Sequence, residues 1–126
     1  MKNKRSLGYV FSSLLALGAL SAQAQNNFWW TNTVNDVWAN GANWSNDLGG
    51  ALAPLAGGSN DYAFTFQNAG AVSTINNLES PGFLLNQLAS DTGAGAVTIF
   101  GTSLVFASSS TAVLPGFTQN SASLVT

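Results

Sequence analysis

The chain has 126 residues, with five Asp or Glu, three Lys or Arg, no His and no Cys. Its only bases are Lys2, Lys4 and Arg5, so beyond Ala24 five acids stand against no base. That census excludes nucleophilic triads, which need a base beside Ser, Thr or Cys, and zinc, haem or iron–sulfur sites. It also excludes disulfides, a P-loop lysine and phosphate contacts to nucleic acid.

The first element in chain order is a basic head followed by an apolar run from Leu7 to Leu20 and the small-x-small triplet Ala22-Gln23-Ala24. This arrangement predicts a signal-peptide helix over residues 1–24, cleaved after Ala24. The run is shorter than the roughly 20 apolar residues that span a bilayer. No Cys stands at the cleavage site, which rules out a lipoprotein. Removing 24 of the 126 residues leaves 102, an ordinary single-domain length, with a side-chain charge of −5 from Asp36, Asp47, Asp61, Glu79 and Asp91.

Residues 25–60 hold all four tryptophans, in Phe28-Trp29-Trp30 and in Trp38-Ala39-Asn40-Gly41-Ala42-Asn43-Trp44-Ser45. The intervening Asn and Gly predict tight turns. This segment reads as an N-terminal cap, because Trp buries a large area and an exposed patch of this kind invites association. Its alternative reading is a carbohydrate-binding face made by Trp29, Trp30, Trp38 and Trp44. Asn43 also opens a glycosylation sequon, and is read as a turn or cap residue.

Residues 61–126 read as short strands separated by Gly, Ser and Asn. The predicted strands are Tyr62–Phe66, Val72–Ile75, Val97–Phe100, Ser103–Phe106 and Ser123–Thr126. Phe83–Leu88 is apolar with polar insertions and tolerates a helix. Ala69-Gly70-Ala71-Val72-Ser73-Thr74-Ile75 is echoed 25 residues later by Ala94-Gly95-Ala96-Val97-Thr98-Ile99, and 28 residues further on by Ala122-Ser123-Leu124-Val125-Thr126. Pro81-Gly82-Phe83 is echoed by Pro115-Gly116-Phe117. Repeats of this length match one coil of a β-solenoid, in which each coil is covered by the next about 4.8 Å away. The fold expected is therefore all-β: the start of a parallel β-helix with a Trp-rich cap, against a small closed β-sandwich as the competitor. About two and a half coils fit between Asn60 and Thr126 where at least three are wanted, so the repeats are expected to be truncated and to continue in a longer protein.

Trp38-Ala39-Asn40-Gly41-Ala42-Asn43-Trp44-Ser45, the following Ala53-Pro54-Leu55-Ala56-Gly57-Gly58-Ser59-Asn60-Asp61-Tyr62-Ala63-Phe64, and the phrases Phe83–Leu88 and Thr118–Ser123 resemble the N-terminal portion of bacterial autotransporter-associated β-strand repeat proteins. The resemblance implies a right-handed parallel β-helix passenger, exported to the cell surface or outer membrane. It supplies no catalytic residues.

Two chemistries survive the census. Paired carboxylates can hydrolyse glycosides, and Asp with turn carbonyls can hold calcium. Each acid, however, neighbours turn formers, where Asp bonds its own backbone, and no Asp-x-Asp-x-Asp loop exists. The expectation is a non-enzymatic, exported structural or adhesive segment with no cofactor, no metal and no nucleic-acid partner. Surface glycans or other cell-surface polymers are its candidate partners. The alternatives are the carbohydrate-binding module and the leader region of a secreted polysaccharide-degrading enzyme.

Overall fold

The computed structural model describes residues 25–47, 49–79 and 81–126. The leader over residues 1–24 and its cleavage point at Ala24 lie outside the described residues. The rest is mostly strand, with a single 3-10 turn, Gly41–Asn43, among the described residues. The described part of the chain is thus all-β. In order the strands are β1 (Asn26–Trp30), β2 (Asp36–Val37), β3 (Trp44–Asn46), β4 (Tyr62–Phe66), β5 (Val72–Asn76), β6 (Phe83–Leu85), β7 (Gln87–Ser90), β8 (Val97–Gly101), β9 (Leu104–Phe106) and β10 (Gly116–Gln119).

They form three sheets. The first has the order β10-β7-β4-β1-β3, the second β2-β5-β8, and the third β6-β9. Every pairing is parallel except β1 with β3. The chain visits the sheets in turn. It runs through β4, β5 and β6, and then β7, β8 and β9 pair with those same strands one layer on. β10 opens a third pass on β7. The sequence echo sits in this register: Val72 pairs with Val97, and Val97 in turn bridges Val125.

Alternation decides which side chains enter the core. In β4, Phe64 and Phe66 are buried while Thr65 between them is half-buried. In β5, Val72, Thr74 and Asn76 are buried while Ile75 is exposed. Parallel stacking then lines like positions into rows. Phe28, Phe64, Leu88 and Phe117 are consecutive partners across the first sheet. Phe83 lies against Leu104 and Leu85 against Phe106 in the third.

The corners need polar and special-backbone residues. Asn86 separates β6 from β7 and is fully buried; its amide Nδ2 donates to the carbonyls of Ala107 at 2.8 Å and Val113 at 2.9 Å. Its side-chain oxygen accepts from Gln25 Nε2. A buried amide with these partners ties two layers together, because leaving those groups unpaired would be costly. The segment Phe83–Leu88 is therefore two short strands around a corner, and not a helix. Gly101 ends β8 at φ +97, and a Cβ there would stand 2.3 Å from the Asn76 carbonyl oxygen, so the adjacent layer approaches too closely for any side chain.

Two sequence expectations are adjusted. Ser123–Thr126 does not form a full strand; its link to the sheet is the Val97–Val125 bridge. The Pro-Gly-Phe echo does not mark stacked positions, since Phe83 lies in the third sheet and Phe117 in the first. Their inward apolar rings follow from alternation within each strand and share no row.

Candidate functional site

Two regions stand out, at opposite ends of the stack. The first is the tryptophan end. β1 runs parallel to β4, and β3 folds back antiparallel on β1, which closes that edge of the first sheet. Asp47, just after β3, fastens the end of that strand to the start of β1: its Oδ2 accepts from the Asn27 backbone N–H at 3.1 Å and from Asn27 Nδ2 at 2.8 Å. Asn40 caps the 3-10 turn by accepting from the Ala42 N–H. Asn43 is buried; its Nδ2 donates to the Val37 carbonyl at 2.8 Å, and its Oδ1 accepts from Asn32 at 2.7 Å. The sequon asparagine is thus a turn residue with its amide inside the fold.

These supports place Trp30, Trp38 and Trp44 in the core, with relative exposures of 0%, 0% and 2%. Trp44 packs edge-on against Trp30 at 5.0 Å and against Trp38 at 5.6 Å between ring centres. Trp38 reaches Phe64 at 5.1 Å and Phe83 at 5.3 Å, so it joins the first sheet to the third. Edge-to-face geometry of this kind adds to area burial. Trp44 Nε1 donates to the Trp38 carbonyl at 2.9 Å, whereas the indole N–H groups of Trp30 and Trp38 have no partner. Only Trp29, half-buried, has a partly open ring. The four tryptophans proposed from sequence as a sugar face therefore do not present a common surface; three face one another.

The acids serve the backbone. The Val37 N–H beside the Asp36 carboxylate, helped by Asn43 and Asn40, holds that group below its ordinary 3.8. Asp61 is buried and accepts from both the backbone N–H and Oγ of Ser110 at 2.8 Å, which fastens the loop after β9. Asp91 Oδ1 accepts from the Thr92 N–H at 2.7 Å. Among the described residues no group of three or more His, Cys, Asp or Glu is placed to hold a metal ion. No helix among them is long and apolar enough to cross a membrane.

For the second region, sequence reasoning raises an open strand edge but not the side chains that line it. At the far end a groove of about 360 Å³ opens among the three sheets, lined chiefly by Leu88, Ile99, Leu104, Phe106, Phe117 and Val125. Phe106 and Phe117 belong to inward rows, yet they are 39% and 52% exposed, where their row partners Leu85 and Leu88 are at 0% and 4%. The signal available in the sequence was the absence of any charge after Asp91.

Comparison with known proteins adds no assignment to these two regions. No protein-family model, no curated protein and no solved structure matches the chain.

Proposed function

We propose that this chain is a non-enzymatic, exported structural or adhesive segment, built as the opening coils of a parallel β-helix with a tryptophan cap. The observation that carries the reading is the pairing of β4, β5 and β6 with β7, β8 and β9, three parallel sheets each advanced by one layer. Such stacking makes a stiff rod whose length grows by repetition, and whose working surface is its side and not a pocket. The basic head, apolar run and Ala-x-Ala triplet support export. The resemblance to autotransporter-associated repeats supports a place at the bacterial cell surface, with further coils seated beyond the second layer. Burial of Trp30, Trp38 and Trp44 supports the cap over the sugar face.

The test is expression with the leader intact, recovery of the exported form, and titration with oligosaccharides. The expected form begins at Gln25, emits at the short wavelengths of buried indole, and does not respond to oligosaccharides. A glycan-dependent emission shift, with retention on an immobilised glycan that weakens in Trp38→Ala, would replace this reading with a carbohydrate-binding module. Retention of the chain in the cytoplasm with residues 1–24 attached would overturn export.

A further inference from the structure

Asn40-Gly41 is the one Asn-Gly pair in the chain, and it sits where the backbone turns back toward the tryptophans. The fold fixes both halves of the pair. A Cβ on Gly41 would stand 2.5 Å from the Ala51 carbonyl oxygen, so any side chain there would meet backbone. Asn40 is exposed and caps the three-residue turn Gly41–Asn43. Its Oδ1 accepts from the Ala42 N–H at 3.1 Å, and its Nδ2 donates to Asp36 Oδ2 at 3.0 Å.

The pairing that the fold requires is also chemically labile. Glycine has no side chain to shield its backbone nitrogen, and the preceding Asn carries a carboxamide carbon within one ring closure of it. Gly41 is the first residue of the turn, so its N–H is one that the turn leaves unused. Attack by that nitrogen on Asn40 Cγ closes a five-membered ring. The nitrogen gives up its proton, the Cγ–Nδ2 bond breaks, and Nδ2 leaves as ammonia. Water then opens the ring at either carbonyl. Opening at Cγ leaves an aspartyl link; opening at the main-chain carbonyl leaves an isoaspartyl link with an extra methylene in the backbone. Either way a carboxamide and water become a carboxylate and ammonia. Asn40 is held at ψ 107, an extended backbone from which the ring does not close, so the turn has to open first. The turn is short, its entry bond from the Asn40 N–H to the Val37 carbonyl is long at 3.4 Å, and Ala39, Asn40 and Ala42 are exposed. Those are features of a segment that opens locally.

We propose that Asn40 is a site of spontaneous deamidation, and that its conversion is a one-way release of the tryptophan end. Neither product restores the turn. A carboxylate at position 40 has no Nδ2 to give Asp36, and it stands beside the like charge that the amide had bonded. The isoaspartyl link lengthens the backbone, and the close approach of Gly41 to Ala51 leaves it no room. This turn carries the chain from Trp38 to Trp44, where Trp44 Nε1 donates to the Trp38 carbonyl at 2.9 Å and Asn43 Nδ2 donates to the Val37 carbonyl at 2.8 Å. Losing it separates the two indoles. The inference rests on the turn and not on export or adhesion, so it can fail while those readings stand.

The test is ageing of the purified folded chain in mildly alkaline buffer. Mass spectrometry follows the chymotryptic peptide cut after Trp38 and Trp44, methylation by a protein isoaspartyl methyltransferase reports the lengthened link, and tryptophan emission is read on the same samples. The expected result is an amide-to-acid mass gain that is faster in that peptide than at any other Asn. Methyl acceptance rises with it, and emission moves to longer wavelength in step. Anion exchange separates the converted wild type from the intact, and the converted fraction is expected to melt at a lower temperature. Asn40→Ser keeps a capping oxygen but has no carboxamide, and is expected to hold its mass and emission throughout. An Asn40 that stays intact in the folded chain overturns the proposal, and conversion in urea alone would show that the fold shields it. Conversion that leaves emission and melting temperature unchanged overturns it too, as does an equal emission shift in aged Asn40→Ser. If Asn40→Ser does not fold, the separated wild-type fractions decide alone.

Discussion

Tryptophans in equivalent surroundings can have unequal chemistry. Trp44 has its N–H satisfied by the Trp38 carbonyl, whereas the Trp30 N–H is buried without a partner. Replacing Trp44 by Phe removes a bond and strands a carbonyl; replacing Trp30 by Phe removes an unpaired donor. Trp44→Phe is therefore expected to cost more than Trp30→Phe in urea unfolding, by roughly 1–2 kcal/mol. Equal costs would show that ring volume alone matters. Asp36 makes a second residue-scale case. The Val37 N–H holds its carboxylate below 3.8 in the folded chain, so the ionised form is favoured by folding. Its contribution is present above the unfolded value and disappears as pH falls through the folded one. Asp36→Asn is expected to make the acid arm of the melting curve shallower below about pH 4 and to leave the neutral region little changed. An unaltered acid arm would show that the carboxylate is not coupled to folding. Turn chemistry of this kind was readable from sequence, because Asn35-Asp36 and Asp91-Thr92-Gly93 are turn formers whatever surrounds them. Which indole finds a partner was not readable, since the Trp38 carbonyl meets Trp44 only after the 3-10 turn has brought the chain back.

For elements, the controlling quantity is how many neighbours a strand has. β1, β4 and β7 each pair on both sides in the first sheet, and β5 does so in the second. β9 and β10 pair on one side, and their inward side chains are part-exposed. Local opening follows such differences in pairing and burial. Native-state hydrogen exchange should show the slowest amides in β4 and β5 and the fastest strand amides in β9 and β10. Uniform protection across the strands would contradict the layered description. Four of the five predicted strands were legible because alternation and turn residues are local. Phe83–Leu88 was not, because Leu, Asn and Gln do not distinguish a helix from two strands until the Asn86 amide meets Ala107 and Val113, which lie 21 and 27 residues away.

At the scale of the whole molecule the charge distribution sets solution behaviour. Beyond Ala24 no side chain titrates near neutrality, so the stability of the leader-free chain should change little between about pH 6 and 9. A steep change in melting temperature inside that range would contradict the charge census. The same distribution leaves no charged side chain after Asp91.

Composition by itself settled the all-β class and removed most catalytic chemistry, because both depend on which residue types are present and not on where they lie. The order of the residues carried the Val72–Val97–Val125 register, since a repeated phrase pairs with itself when stacked. The tertiary structure alone decided that three tryptophans face inward and that Phe106 and Phe117 stand uncovered. Burial depends on which layer lies above a side chain, and that is a property of the stack that no local window of sequence contains.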